Sequence, residues 1–250
     1  MQRDDEGQQA VIGWRGRLGL LVPPGCPTVE GEIVPLLPRG VSAHFSRMVV
    51  EGPTGTLTGQ DDRNRSQLKH IDQTADLLAM VKPGVMVLAH TATSYTLGRA
   101  GEAELVARME ARHGVPFLTA FGSVIAALRR LGVGRIALGA PYAEATTLQG
   151  RALLEAHGLE VVRHGRLENV ANIYDETAER AYALARKVDA REAEAVFISG
   201  VGLETMSVLE MLEQDLGKPV ISSVAALTWA GLRAVKVAEP IRGYGRLLTM

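Results

Sequence analysis

Residues 114–129 read GVPFLTAFGSVIAALR, and residues 217–233 read GKPVISSVAALTWAGLR. Both open on Gly-x-Pro, pass through a short apolar run into a helix-like stretch, and close on Leu-Arg. The opening Gly and Pro match at an offset of 103 residues (217 less 114), and the closing pair matches at 104, so one gap reconciles them. The likeness spreads outward. RLGLLVPP at 17–24 parallels RIALGAPY at 135–142, each an apolar strand running into proline. VMVLAHT at 85–91 parallels AVFISGV at 195–201, each an apolar strand that empties into small or polar residues. Strand–helix units repeated in this way predict two similar lobes related by a pseudo-twofold axis.

The rest of the chain fits an α/β alternation. Buried strands are expected at 17–22, 41–50, 85–89, 135–139, 160–163 and 195–199. Helices are expected at 65–81, 102–113, 121–131, 147–157, 176–188 and 207–216. In the first helix Leu68, Ile71, Ala75, Leu78 and Ala79 recur at helical spacing. Such alternation implies doubly wound lobes with parallel sheets covered on both faces. The first lobe is expected over 14–118 plus 222–250, the second over 119–221, with a cleft between them and a loose polar tail over 1–13.

Composition narrows the function classes. Of 250 residues, 46% are apolar and 22% charged, with a net charge of −1; that balance fits a globular protein and lacks the basic stripe of a nucleic-acid binder. The apolar runs are strand-sized, too short to span a membrane. The opening MQRDDEGQQA is polar and acidic, unlike a signal peptide, so the expected location is cytoplasmic. One cysteine cannot form an internal disulfide or a Cys-rich metal site, and no metal is expected.

In open parallel sheets, ligands bind beyond the carboxyl ends of the strands. Four strand ends here carry unusual loops, at 23–28, 90–94, 140–144 and 200–205, and facing lobes bring them into one cleft. Their content is Gly, Ser, Thr and backbone N–H groups at helix starts, with Tyr142 added. Such groups donate hydrogen bonds to an anion without a positive charge. A small carboxylate fits better than a nucleotide, because neither a Walker A sequence nor a GxGxxG between strand and helix is present. No cofactor is therefore expected.

These residues resemble the aspartate/glutamate racemase superfamily, in the branch of maleate cis-trans isomerases and arylmalonate decarboxylases. The resemblance is carried by the proline-terminated first strand, His44-Phe-Ser-Arg-Met48, the Ala140-Pro141-Tyr142 turn, Phe197-Ile-Ser199, the GKPVISS of 217–223, Trp229 and Leu232-Arg233. It runs from about Arg17 to Arg233. It implies a two-lobed α/β protein, a cofactor-independent enzyme and a homo-oligomer. The substrate it implies is a small carboxylate bound between the lobes and processed through an enolate-like intermediate.

The departure from that family is chemical. Its racemases and isomerases use two cysteines at related strand ends, and its decarboxylase keeps only the second. Here the first place is His90 and the second is Gly200. Neither supplies a thiolate. By resemblance, Thr91 and Tyr142 fall where the decarboxylase has hydroxyl donors, and the N–H groups of Gly200, Val201 and Gly202 complete an oxyanion pocket, each donor worth about 3–4 kcal/mol of barrier. His90, titrating near neutrality, is the candidate acid or base. One such group favours one-faced proton chemistry, as in a decarboxylase, lyase or tautomerase, over a two-base racemase.

Cys26 is either a small buried apolar side chain or a nucleophile with His90 as its base. His44 with Ser46 and Arg47 fits a strand-surface role better than substrate contact. Ser223 is a candidate substrate donor, as is Ser222, which equally suits a helix cap. Asn169 and Asn172 sit in a loop that can fold over the cleft. Three functions follow: an isomerase or decarboxylase-like lyase using His90, a carboxylate-binding protein without chemistry, or a hydrolase using Cys26 or a hydroxyl.

Overall fold

The computed structural model describes residues 11–52 and 54–250; most of the tail expected over 1–13 lies outside the described residues. Strand β1 (Gly16–Val22) leads through the short helix α1 (Thr28–Ile33) to β2 (Val41–Arg47). Helices α2 (Gln60–Lys69) and α3 (Ile71–Ala79) precede β3 (Val85–Leu88), and α4 (Thr91–His113) precedes β4 (Phe117–Thr119). After α5 (Ala120–Leu131) the pattern repeats as β5 (Arg135–Ala140), α6 (Glu144–Ala156), β6 (Glu160–Arg166), α7 (Ala178–Val188), β7 (Ala195–Ile198), α8 (Leu209–Leu216), β8 (Val220–Ser222) and α9 (Ser223–Ala234).

The strands form two four-stranded sheets, ordered β2-β1-β3-β4 and β6-β5-β7-β8, with every pairing parallel. The same order in both halves bears out the repeat. It holds down to single hydrogen bonds: Thr119 caps α5 by accepting the Gly122 N–H, and Ser222 caps α9 by accepting the Ala225 N–H.

Each of these capped helices serves the other sheet. Phe121, Val124 and Leu128 of α5 pack with Ile136, Leu138 and Phe197 of the second sheet. Val224, Leu227 and Leu232 of α9 pack with Leu18, Leu20 and Val87 of the first. The apolar faces of β1 and β3 are therefore closed by a helix nearly at the far end of the chain, and the two lobes share one interior. Among the described residues no helix is long and apolar enough to cross a membrane.

Three expectations change. The single helix over 65–81 is two helices, broken at His70 (φ −109°, ψ 4°), whose carbonyl accepts from both the N–H and the hydroxyl of Thr74. The helix over 102–113 is the second part of α4, which starts at Thr91 and bends at Gly98 (φ +66°); glycine tolerates that conformation without a Cβ clash. The loop over 23–28 is shorter, because α1 begins at Thr28.

Candidate functional site

The parallel register brings the C-terminal ends of β1 and β3 alongside each other, and likewise those of β5 and β7. The four expected loops meet there: the 200–205 segment is bonded to Ser223 and Thr28 of the first lobe, and Pro141 and Tyr142 lie against Gly200. Thr91 Oγ1, at the start of α4, donates to Ser223 Oγ at 2.9 Å. The same oxygen accepts the Gly200 N–H at 3.1 Å. Thr28 Oγ1 donates to the Gly202 carbonyl at 3.1 Å. Thr91, Ser199 and Ser223 are fully buried, so unpaired hydroxyls there would carry a desolvation cost; the network satisfies them.

His90 stands at the end of β3 as the residue preceding α4. Its Nδ1 lies 2.6 Å from Thr93 Oγ1. The side chain is buried, and burial, with a smaller effect from the Arg63 charge, pushes its pKa down to about 4. The expectation of an imidazole titrating near neutrality is corrected: burial disfavours the charged ring and holds its pKa well below the ordinary histidine value.

At Gly200 the backbone itself differs from what a side chain prefers. Gly200 has φ +100°, and a Cβ placed there would lie 3.0 Å from Pro141 Cγ and 3.1 Å from the Tyr142 hydroxyl. Tyr142 is 4% exposed and meets Tyr95 edge-on at 6.2 Å between ring centroids. Tyr95 and Ser199 share a hydrogen bond of 2.7 Å, and Ser199 also bonds the Tyr142 hydroxyl. Burial raises both tyrosine pKa values well above the ordinary phenol range, so both are neutral hydrogen-bond donors.

Cys26 is fully buried, with Sγ 3.7 Å from the Val201 carbonyl. Burial pushes its thiol pKa up, against smaller opposing effects from backbone and Thr28 hydrogen bonds and Arg47. The loop holding it is tied down by Arg47, which donates to the carbonyls of Pro23 and Cys26 and pairs with Glu30. His44 bonds Ser42 on the edge strand β2. The surface role expected for His44 and Arg47 is what these contacts supply. Ser222 caps α9, as one of its two readings held.

Two loops close over the cluster. Residues 54–58 and 170–174 are joined by the Ile173 N–H donating to the Gly55 carbonyl at 2.8 Å. Tyr174 lies over three glycines: Cβ atoms on Gly25, Gly55 and Gly202 would each come within 3.1 Å of its ring. Asn172 does not reach the cluster with its amide; it shapes the turn by accepting the Tyr174 N–H and donating to Asp175. Beneath the Gly200–Thr205 segment, Glu32 of α1 accepts the N–H groups of Thr205 and Met206 at 2.5 and 2.6 Å. Burial pushes its pKa up to about 7, and the two N–H bonds only partly offset that.

Sequence reading missed Tyr95, Ser199, Tyr174, Glu32 and Arg63. Only Ser199, at the end of an apolar strand, carried a local signal. An apolar groove of about 440 Å³ between α4 and α5, lined by Ala103, Val106, Leu118 and Gly122 among others, lies outside the cluster.

A sequence model described as arylmalonate decarboxylase matches residues 18–248. Maleate isomerase of Nocardia farcinica is 29% identical over 93% of this chain and 95% of its own. Arylmalonate decarboxylase of Bordetella bronchiseptica is 28% identical over 92% and 95%. Among solved structures, the chain is similar to a cysteine-to-serine mutant of Nocardia farcinica maleate cis-trans isomerase carrying a covalently bound succinylcysteine intermediate, with TM-score 0.85 at 25% identity over 93% and 98% of the two chains. It is also similar to arylmalonate decarboxylase, with TM-score 0.72 at 26% identity over 93% and 98%.

Proposed function

The chain belongs to the arylmalonate decarboxylase family, and on that premise we propose that it is a cofactor-independent isomerase or carbon–carbon lyase for a small carboxylate, with His90 moving the proton. The observation that carries this reading is the single buried network in which Thr91, Ser223 and the Gly200 N–H from both lobes are bonded together beside His90. Ser223 Oγ accepts from both the Thr91 hydroxyl and the Gly200 N–H, which leaves its own proton to donate to a carboxylate beside the N–H groups of Val201 and Gly202. The Thr91 and Tyr142 hydroxyls turn to the ligand only by exchanging their present partners. The same donors stabilise the enolate as its charge develops.

With Nδ1 engaged by Thr93, Nε2 is the nitrogen left for substrate. An arriving anion favours the protonated imidazole, so the proton enters with the substrate. In the lyase direction the carbon–carboxylate bond breaks, carbon dioxide leaves, and its electron pair becomes the enolate. The His90 Nε2 proton then goes to carbon, and solvent reprotonates the site in the next cycle. Gly200 offers no acid on the opposite face, which favours this one-faced course over racemisation. Cys26, with its raised pKa, suits the hydrolase reading less well.

The test is proton NMR in deuterium oxide with maleate, methylmalonate, phenylmalonate and aspartate, comparing wild type with His90→Ala. Deuterium incorporation or loss of carbon dioxide should fall roughly 10²–10⁴-fold in the variant. Equal turnover in both proteins removes His90 from the mechanism. Line broadening without turnover in wild type favours a binding protein instead.

A further inference from the structure

The groove between α4 and α5 holds a carboxylate that the fold alone does not account for. Glu102, in the second part of α4, is 6% exposed and lines this groove of about 440 Å³. It accepts the Ser94 hydroxyl at 2.6 Å and the Thr119 hydroxyl at 2.5 Å, both on Oε1. Oε2 has no hydrogen-bond partner among the described residues, yet it is not enclosed, so the carboxylate meets the groove through that oxygen. No Lys, Arg or His nitrogen of the described residues lies within 4.0 Å of it.

The Ser94 bond braces α4 across its bend at Gly98. That brace requires an acceptor at Oε1 and not a charge, since a neutral amide oxygen also accepts two hydroxyls. A buried charge without a partner carries a desolvation cost. The other polar groups of the groove do not supply a counter-charge. Arg99 and Glu110 are exposed and engaged by the Ala156 carbonyl and the Phe117 N–H. His157 meets Phe121 edge-on at 5.6 Å between ring centroids, and neither of its ring nitrogens has a partner. Burial lowers its pKa, so the ring is neutral at neutral pH. Apolar side chains, Ala103, Val106, Leu118 and Ala126 among them, line the rest. A groove of this size with one fixed polar group suits a small molecule with an apolar body.

We propose that this groove is a second ligand site, for a small organic amine: its ammonium pairs with Glu102 Oε2, and its apolar body lies along Ala103, Val106, Leu118 and Ala126. The ammonium is the counter-ion that Glu102 lacks, in surroundings where a charge pair is stronger than in water. The groove lies outside the Thr91–Ser223 cluster, so the proposal stands apart from the reading of that cleft.

The test is titration calorimetry with 2-phenylethylamine and its uncharged analogue 2-phenylethanol, on wild type, Glu102→Gln and Ala126→Trp. A hydrogen bond to a charged group corresponds to roughly 10- to 150-fold in affinity, and wild type should prefer the amine over the alcohol by that factor. Glu102→Gln keeps an acceptor for both hydroxyls and should remove the preference. Ala126→Trp fills the groove from an exposed position and should abolish binding of the amine. Wild type that does not bind the amine, or binds it no tighter than the alcohol, overturns the proposal. So does a preference that survives Glu102→Gln, or amine binding unchanged in Ala126→Trp, which would seat the ligand elsewhere. If Glu102→Gln does not fold, a wild-type crystal structure with 2-phenylethylamine decides: an ammonium nitrogen at roughly 3 Å from Oε2 supports the proposal, and one seated away from it sinks it.

Discussion

Gly200 shows how a position can be closed to a side chain by more than its genetic identity. Its φ of +100° falls where L residues are strained, and Pro141 and Tyr142 occupy the space that a Cβ needs. Gly200→Ala should cost about 1–3 kcal/mol, seen in calorimetry as a lower Tm at roughly 2–4 °C per kcal/mol for a chain of this size. An unchanged Tm would mean that this turn relaxes freely. Gly200→Cys meets the same strain and should lower the Tm at least as much. Single residues are also where sequence reading reached its limit. Glu32 meets its partners Thr205 and Met206 across the two lobes, and Arg63 is buried with its guanidinium on the Thr56 and Thr58 carbonyls. No window of neighbours along the chain contains that information. His90 was legible as a residue at a strand end, yet its pKa of about 4 is a property of the burial around it.

At the scale of elements, the apolar strands β1, β3, β5 and β7, four to seven residues each, are legible because they are buried on both faces. The three-residue strands β4 and β8 are too short for periodicity and show only through the repeat that contains them. Helix α1 follows a proline-rich turn and has six residues, and α2, QDDRNRSQLK, has no apolar face to announce it. The start of α4 is hidden by its hydroxyl-rich TATSYT and by the bend at Gly98. The matched caps of α5 and α9 give an element-level prediction. Thr119→Ala and Ser222→Ala should each cost about 1 kcal/mol, a Tm loss of about 2–4 °C, readable by thermal unfolding followed by circular dichroism. A loss confined to one variant would break the equivalence of the two helices.

For the molecule as a whole, Glu32 ties α1 of the first lobe to the loop after β7 of the second. Its folded pKa of about 7 lies above the ordinary 4.5. Between those values the folded state keeps a proton that the unfolded chain has released, so its stabilisation is complete below about pH 4.5 and is lost as pH rises through 7. His90 has the opposite sign: its contribution is complete above about 6.5 and is lost as pH falls toward 4. Comparing wild type with Glu32→Gln isolates the first effect. From pH 5 to 8, the Tm of wild type should fall relative to the variant, and a constant difference would show that Glu32 does not titrate in this window. The helix exchange between sheets has a consequence during synthesis. The ribosome finishes β4 at Thr119, but α9, which covers the first sheet, ends at Ala234. At roughly 5–20 residues per second, the apolar face of that sheet waits on the order of ten seconds for its cover. Until α9 emerges, that face of the nascent chain is open to aggregation.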